Sequence, residues 1–223
     1  MPQPALSQQL RETSTPSWAP FRHHRFFRQY AEGTLPEAAV EAYFAYEYHF
    51  VREAVPIFAY LLTRANTLEA RRHLVGVLHG LVHEQVDFFE DQLVDGGFPR
   101  ERLVPASFPA EVTRMGREFA AATRVGTYAE GIASVWVAEQ TYLEVSSELA
   151  AIPSRFPALA AWFQLHTDTV FTHGVGWLRA ELDRIGREGT TPAELLPAVE
   201  HALLLETEFH DAALAGPTGR EFP

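Results

Sequence analysis

A glutamate in an aromatic setting is the first residue of this sequence that could do chemistry. Glu47 stands in the run from Tyr43 to Val51, with Phe44 and Phe50 three residues away on either side. Burying a carboxylate without a partner is costly, so such a side chain is normally paired, neutralised or functional. A desolvated Glu47 would have a raised pKa and could bind a ligand N–H group or exchange a proton. A structural ion pair with an arginine is the alternative interpretation.

Histidines at helical spacing indicate a second kind of chemistry. His79 and His83 are one helical turn apart, and His166 and His173 are two turns apart on one predicted helix. Carboxylates and imidazoles that project into the interior of a helical bundle can hold non-haem iron or manganese. The candidate metal ligands are Glu47, His83, Glu139, His166 and His173.

This ligand set favours one metal ion over two. The Glu-x-x-His pattern of ferritin-like sites is absent, because Gly80 precedes His83 at that offset. Val170 stands between His166 and His173, where a further carboxylate would help to hold a second ion. We therefore favour a mononuclear or degenerate metal site over a two-metal site, which stays open, provided that the helices converge.

The elements that must position these residues are predicted to be helices. Thr34, Thr127 and Thr191 each stand three residues before a glutamate, which is the spacing of a capping box at a helix start. The apolar periodicity predicts helices over about 36–64, with a kink or break near Pro56, and over about 68–95, 109–124, 128–149, 157–186 and 192–214. No segment shows the alternation of a strand. We expect an all-α fold with one helical domain over 21–214, a peripheral segment 1–20 and a frayed tail 215–223.

Composition limits the classes of function. The 223 residues are 47% hydrophobic and 21% charged, as in soluble globular proteins. A net charge of −11 argues against nucleic-acid binding, and the absence of cysteine excludes disulfides, thiolate zinc sites and thiol nucleophiles. No apolar run approaches the roughly 18–20 residues of a membrane span, and no signal peptide is evident, so we expect a cytoplasmic protein with no membrane partner. The basic cluster from Arg22 to Arg28 is interpreted as a solvated face or a subunit contact.

Several segments, taken in order, resemble the TenA family of thiaminase II and its relatives. They are His24-Arg25-Phe26-Phe27, Gly33-Thr34-Leu35-Pro36, Tyr46-Glu47-Tyr48, Gly126-Thr127-Tyr128-Ala129-Glu130, Trp162 and Glu206-Thr207-Glu208-Phe209-His210. The resemblance covers roughly residues 20–214. It implies a haem-oxygenase-like helical bundle with a pocket between its helices, a small-molecule substrate, and assembly as a homodimer or homotetramer.

The resemblance also implies roles for single residues. Glu47 falls where the family has an aspartate that binds an aminopyrimidine, and Glu206 matches an acid/base glutamate. Tyr142 matches a pocket tyrosine, and His166 stands where another pocket tyrosine is expected. Ala138 occupies the place of the nucleophilic cysteine. Because the chain has no thiol, the covalent mechanism of the family is not open to it.

Three functions remain open at this point. A cysteine-independent hydrolase of aminopyrimidine compounds in thiamin salvage needs no cofactor, and in it Glu206 would activate water while Glu47 holds the ring. The residues expected to contact its substrate are Tyr142, Phe50, Glu139, His166 and Phe44. A haem-oxygenase-like oxidase would instead hold iron or manganese with the ligands named above, and a non-catalytic binding or regulatory protein would keep only the fold. Only the oxidase would lose activity and thermal stability to a chelator.

Overall fold

The protein is built from α-helices, and the all-α prediction is confirmed. The computed structural model describes residues 4–95 and 108–216, and no strand occurs in these two ranges. The helices are α1 (Leu6–Thr13), α2 (Thr15–Arg22), α3 (Arg25–Ala31), α4 (Glu37–Arg64), α5 (Leu68–Gly80), a π-helical turn (Leu81–Gln85), α6 (Val86–Asp95), α7 (Ala110–Val125), α8 (Tyr128–Leu149), α9 (Pro157–Leu165), α10 (Thr169–Arg187) and α11 (Pro192–Ala215). Most of the predicted tail 215–223 lies outside the described residues. No helix in the described part of the chain is long and apolar enough to cross a membrane.

Two of the three predicted capping motifs shape a helix start. At α8 the Thr127 hydroxyl accepts from the Glu130 N–H, and the Glu130 carboxylate accepts from the Thr127 N–H, which completes a capping box. Before α11, the backbone N–H and the hydroxyl of Thr191 both donate to the Glu194 carboxylate at 2.7 Å. Both hydrogen bonds lower the pKa of Glu194, and the bond from the hydroxyl has the larger effect.

The prediction that Thr34 caps α4 is wrong. The helix begins at Glu37, and the capping position is occupied by Pro36, whose side chain offers no hydrogen bond. Pro36 has an extended backbone with ψ of 143°, so the helix cannot include it. Pro56, by contrast, does not end α4, which runs on to Arg64. Buried Ile57, Phe58 and Leu61 follow the proline, and their packing offsets the lost backbone hydrogen bond.

The segment predicted as one helix over 157–186 is two helices. The first ends at Leu165, and Asp168 caps the second by accepting from the Phe171 N–H at 2.7 Å. An aspartate favours the N-cap because its carboxylate satisfies an otherwise orphaned donor. His166 and His173 therefore do not share a helix face, contrary to the prediction. The predicted helix 68–95 is likewise interrupted, by the π-helical turn that contains His83.

The N-terminal segment also differs from the expectation that residues 1–20 are peripheral. Residues from Leu6 onward form α1 and α2, in which Leu6, Leu10 and Trp18 are buried. The Ser7 N–H donates to Asp183 of α10 at 2.9 Å. These helices are therefore part of the packed structure.

The described chain divides into two compact units, a division that the sequence did not indicate. Unit 1 comprises residues 1–33 and 125–207, and unit 2 comprises residues 34–124 and 208–223. In unit 1, α8 contacts α2, α3, α9 and α10, and α1 packs on α10. In unit 2, α4 contacts α5, the π-helical turn and α6. Helix α11 contributes to unit 1 up to Thr207 and to unit 2 from Glu208.

Candidate functional site

A buried polar cluster in unit 1 contains three of the residues that the sequence indicated. Tyr142 of α8, His166 at the end of α9 and Glu206 of α11 are 7%, 6% and 3% exposed. The His166 ring lies 4.7 Å from the Tyr142 ring and 4.2 Å from the Trp162 ring, measured between centroids. Three helices thus bring an imidazole, a phenol and a carboxylate into the interior of one unit.

The protonation state of His166 follows from its hydrogen bond and its burial. Its Nδ1 lies 2.8 Å from the carbonyl oxygen of Trp162. A carbonyl oxygen can only accept, so the hydrogen is on Nδ1 and the neutral ring has a lone pair on Nε2. Burial lowers the pKa of His166 to about 4, with a smaller opposing effect of the Trp162 hydrogen bond. His166 is therefore a neutral imidazole near pH 7, with Nε2 as an acceptor.

Tyr142 is held in its protonated form. Burial raises its pKa well above the ordinary value, and the charge of Glu206 raises it further. A hydrogen bond with the Trp162 side chain acts in the opposite direction but is the smaller effect. The influence of Glu206 also indicates that this carboxylate approaches the phenol. Tyr142 can therefore serve as a hydrogen-bond donor to a bound molecule across the physiological pH range.

Glu139 adds a group that titrates near neutral pH. It precedes Tyr142 by three residues on α8, so the two side chains leave neighbouring positions on one side of the helix. The residue is half-buried, and the loss of water around its carboxylate raises its pKa to about 7. A carboxyl group with this pKa is suited to both giving and taking a proton near pH 7.

Glu47 lies in unit 2, in the aromatic setting that its neighbours in the sequence suggested. It is buried on α4, and the rings of Tyr43 and Tyr46 pack on Phe209 with centroids 6.3 and 6.2 Å away. Phe50 also packs on Phe209, at 6.3 Å.

The other predicted aromatic of α4 packs elsewhere in unit 2. The centroid of the Phe44 ring lies 5.7 Å from that of Phe89 on α6. Unit 2 thus contains Glu47, Phe44 and Phe50 among the predicted site residues, whereas Tyr142, Glu139, His166 and Glu206 belong to unit 1.

The predicted metal ligands do not all lie in the interior. His83 is exposed on the π-helical turn, with its ring 4.7 Å from that of His79, and His173 is exposed on α10. The prediction that both histidines face the core is wrong, because the π-helical turn and the break before Asp168 change the faces that a continuous helix would present. Across residues 4–95 and 108–216, no group of three or more histidine, aspartate or glutamate side chains could hold a metal ion.

Aromatic residues of α3 and α9 pack beside the cluster, and the sequence did not mark them as site residues. The Phe27 ring packs edge-on against Tyr142 at 6.5 Å and against Phe163 at 6.3 Å. Tyr30 packs on Phe163 at 4.9 Å, and its buried hydroxyl has no hydrogen-bond partner in the described structure. The adjacent aromatic pair Phe26-Phe27 was the available signal in the sequence, but such a pair does not show which other helix it contacts.

The chain matches a known protein family over nearly its whole length. A family profile described as the TENA/THI-4/PQQC family matches residues 11–216. A search of curated proteins gives no significant match.

Solved structures share the fold at low sequence identity. A TenA family transcription regulator from Silicibacter is 20% identical with a TM-score of 0.84, covering 93% of this chain and 95% of its own. A TenA homologue from P. horikoshii is 18% identical with a TM-score of 0.85, covering 96% and 100%. A structure named as a TenA-like thiaminase from Sulfolobus solfataricus is 14% identical with a TM-score of 0.79, covering 96% and 98%. At these identities the likeness establishes the helical-bundle fold.

Proposed function

The chain belongs to the TENA/THI-4/PQQC family, and from this membership and the buried cluster of unit 1 we propose that it is a thiamin-related hydrolase acting on aminopyrimidine compounds without a cysteine. The observation that carries the proposal is the burial of Tyr142, His166 and Glu206 in one unit. A phenol donor, an imidazole acceptor and a carboxylate suit a small heterocycle with both N–H groups and ring nitrogens. The Sulfolobus solfataricus structure is named as a TenA-like thiaminase, which supports a thiamin-related substrate.

In the proposed reaction, Glu206 transfers the protons. Water adds to the substrate carbon that carries a leaving amine, the C–N bond breaks, and a C–O bond forms. Glu206 takes a proton from the attacking water and returns it to the departing amine. Ala138 offers no nucleophile, so direct attack by water is the route compatible with this sequence.

Other residues bind the substrate in this proposal. Tyr142 donates a hydrogen bond to a ring nitrogen, and Nε2 of His166 accepts one from an amino group. Glu139 supplies a second titrating carboxyl group beside Tyr142. The proposed site is confined to residues of unit 1, so Glu47, Phe44 and Phe50, which belong to unit 2, have no assigned part in it.

The test is ammonia release from an aminopyrimidine with an aminomethyl group, followed with the purified protein. We expect turnover that falls at least about a hundredfold in Glu206→Gln, which is the lower range for losing a general acid/base. The control is Glu200→Gln, because Glu200 is exposed on the same helix, and its activity should match the wild type. Binding of the compound without turnover would favour the non-catalytic alternative. Equal activity of Glu206→Gln and wild type would overturn the assignment of Glu206.

We also propose that the protein assembles as a homodimer or homotetramer through the outer face of α5. Leu68 and Val75 of α5 are 62% and 54% exposed, and Val82 of the π-helical turn that follows α5 is 43% exposed, with seven residues from each to the next. Beside them, a Cβ atom added at Gly76 or Gly80 would meet nothing within 4 Å, so a second helix can approach closely. An apolar helix face with a seven-residue repeat can pack against the same face of a second copy of the chain.

Light scattering coupled to size exclusion tests this assembly. Val75→Glu should lower the molecular mass, whereas Val170→Glu should leave the mass unchanged, because Val170 is equally apolar and 77% exposed but lies on α10. A monomeric wild-type protein would refute the proposal.

A further inference from the structure

A cavity on unit 1 carries a combination of side chains that the proposed hydrolysis does not use. Its volume is about 380 Å³, within the range of small-molecule sites. A basic side is formed by Arg22 at the end of α2, His23 in the connection to α3, and Arg28 of α3. Phe27 and Val145 are among the apolar residues that line the rest.

The positive charge of the basic side contrasts with the net charge of the whole chain, which is −11. Arg28 is exposed, and within the described residues it makes no ion pair. Arg22 pairs with Glu148, which also lines the cavity, and their side chains are 41% and 54% exposed. Exposed pairs of this kind contribute little to stability, so Arg22 can turn toward a bound anion at small cost.

The apolar side is formed by buried residues of α3 and α8. Phe27, Val145 and Leu149 are 3%, 2% and 5% exposed, and all three line the cavity. At these exposures the apolar side offers only a small area, so it suits a ligand with a small apolar body beside its charged group.

We propose that this cavity binds a small organic anion, in which a carboxylate or phosphate monoester meets Arg28 and Arg22 and an aromatic or aliphatic body covers Phe27, Val145 and Leu149. Guanidinium groups suit these anions because they donate two parallel hydrogen bonds with full charge. This proposal does not depend on the hydrolase activity.

The cavity is separate from the cluster proposed for hydrolysis. None of Tyr142, His166 and Glu206 lines it. Phe27 is the residue common to both, because it lines the cavity and its ring also packs on Tyr142 at 6.5 Å.

Isothermal titration of the full chain with phenyl phosphate tests the proposal, with inorganic phosphate and neutral benzyl alcohol as comparison probes. We expect one saturable site for phenyl phosphate, weaker binding of inorganic phosphate and none of benzyl alcohol. Arg28→Gln should weaken phenyl phosphate binding at least about tenfold, as expected for one charge-assisted contact. The matched control is Arg25→Gln, which removes an exposed arginine of the same helix outside the cavity lining and should leave the affinity unchanged.

A second variant tests the position of the site without removing charge. Ala31 lines the cavity and is exposed at the end of α3, so Ala31→Trp fills the space with little effect on the core. It should abolish phenyl phosphate binding while the circular dichroism spectrum stays that of the wild type. Equal losses in Arg28→Gln and Arg25→Gln, unchanged binding in Ala31→Trp, or no saturation up to about 10 mM would each overturn the proposal.

Discussion

The rings of Tyr142 and His166 pack against each other with centroids 4.7 Å apart and planes tilted by 46°. Tyr142 lies on α8, and His166 is the residue that directly follows α9. Each is kept neutral by burial, which raises the pKa of the phenol and lowers that of the imidazole to about 4. Neither ring carries a charge, so the pair can offer a ligand one neutral hydrogen-bond donor and one neutral acceptor.

The low pKa of His166 predicts a loss of stability in mild acid. The unfolded histidine titrates near 6.5 and the folded one at about 4, so between these values the unfolded chain binds more protons. The contribution of His166 is complete above pH 6.5 and is lost as the pH falls through 4, with about 2 kcal/mol gone at pH 5. Urea unfolding at pH 7 and pH 5 should show that His166→Phe lacks this part of the pH dependence.

A second histidine variant controls for the general effects of acid. His173 is exposed on α10, so His173→Gln removes an imidazole without disturbing the buried cluster. Burial also lowers the pKa of His49, but this residue is unchanged in both variants. A His166→Phe protein with the same pH dependence as wild type would show that His166 is not buried as described.

Glu139 predicts the opposite pH dependence. Its pKa rises to about 7 on folding, so its contribution to stability is present below pH 4.5 and is lost as the pH rises through 7. Glu139→Gln should therefore increase the free energy of unfolding at pH 8 by about 3 kcal/mol, and by less than about 1 kcal/mol at pH 5. Urea unfolding at the two pH values gives both numbers. A gain of equal size at both would contradict the titration of Glu139.

An ion pair within α10, joined to Tyr128 of α8 by a hydrogen bond, predicts that the two glutamates that pair with Arg184 contribute differently to stability. Arg184 donates to both oxygens of Glu181 at 2.8 Å, and Glu181 also accepts from the Tyr128 hydroxyl at 3.1 Å. The Glu181 side chain is 7% exposed, whereas Glu188, which also pairs with Arg184, is 59% exposed.

Removing the buried charge of Glu181 should therefore lower stability more than removing the exposed charge of Glu188. Glu181→Gln should lower the free energy of unfolding by about 2 kcal/mol, because it leaves a guanidinium and a phenol incompletely paired. Glu188→Gln should cost less than about 0.5 kcal/mol, as is usual for exposed pairs. Thermal or urea unfolding measures both, and equal effects would argue against the network.

The contact between α1 and α10 predicts a steric effect at one glycine. A Cβ atom added at Gly186 would lie 2.7 Å from Cβ of Leu6, a distance that side chains do not tolerate. Gly186→Ala should therefore lower stability by about 1–3 kcal/mol. Gly174→Ala is the control on the same helix, because its Cβ would meet nothing within 4 Å, and it should raise stability by about 0.5–1 kcal/mol. If both alanines stabilise the protein, α1 does not pack on α10 as described.

The positions of the histidines predict that a chelator has no effect on stability. His83 and His173 are exposed, and the described ranges contain no group of three or more histidine, aspartate or glutamate side chains that could hold a metal ion. The melting temperature should therefore be the same before and after dialysis against a chelator, and ferrous iron added under anaerobic conditions should not raise it. A rise with iron that is lost in His83→Ala would restore the oxidase hypothesis.

Local sequence patterns were sufficient to predict most helices. The capping box at Thr127 and the apolar periodicity of α8 involve residues within a few turns of one another, so they report on local structure directly. The resemblance to the TenA family also came from the sequence, because motifs in a fixed order survive where overall identity is low. Tyr142, His166 and Glu206 were candidates for the same reason.

The tertiary structure decided which of these candidates meet and which are exposed. Helical periodicity tells which side chains share one face of a helix, but not what that face contacts. The side chain of Asp168 ended a helix that the periodicity alone continued, and this break separated His166 from His173. Phe27 and the basic cavity wall beside it acquired their surroundings from α8, a helix far away in the sequence. Burial and pKa depend on such distant partners, so only the folded chain determines them.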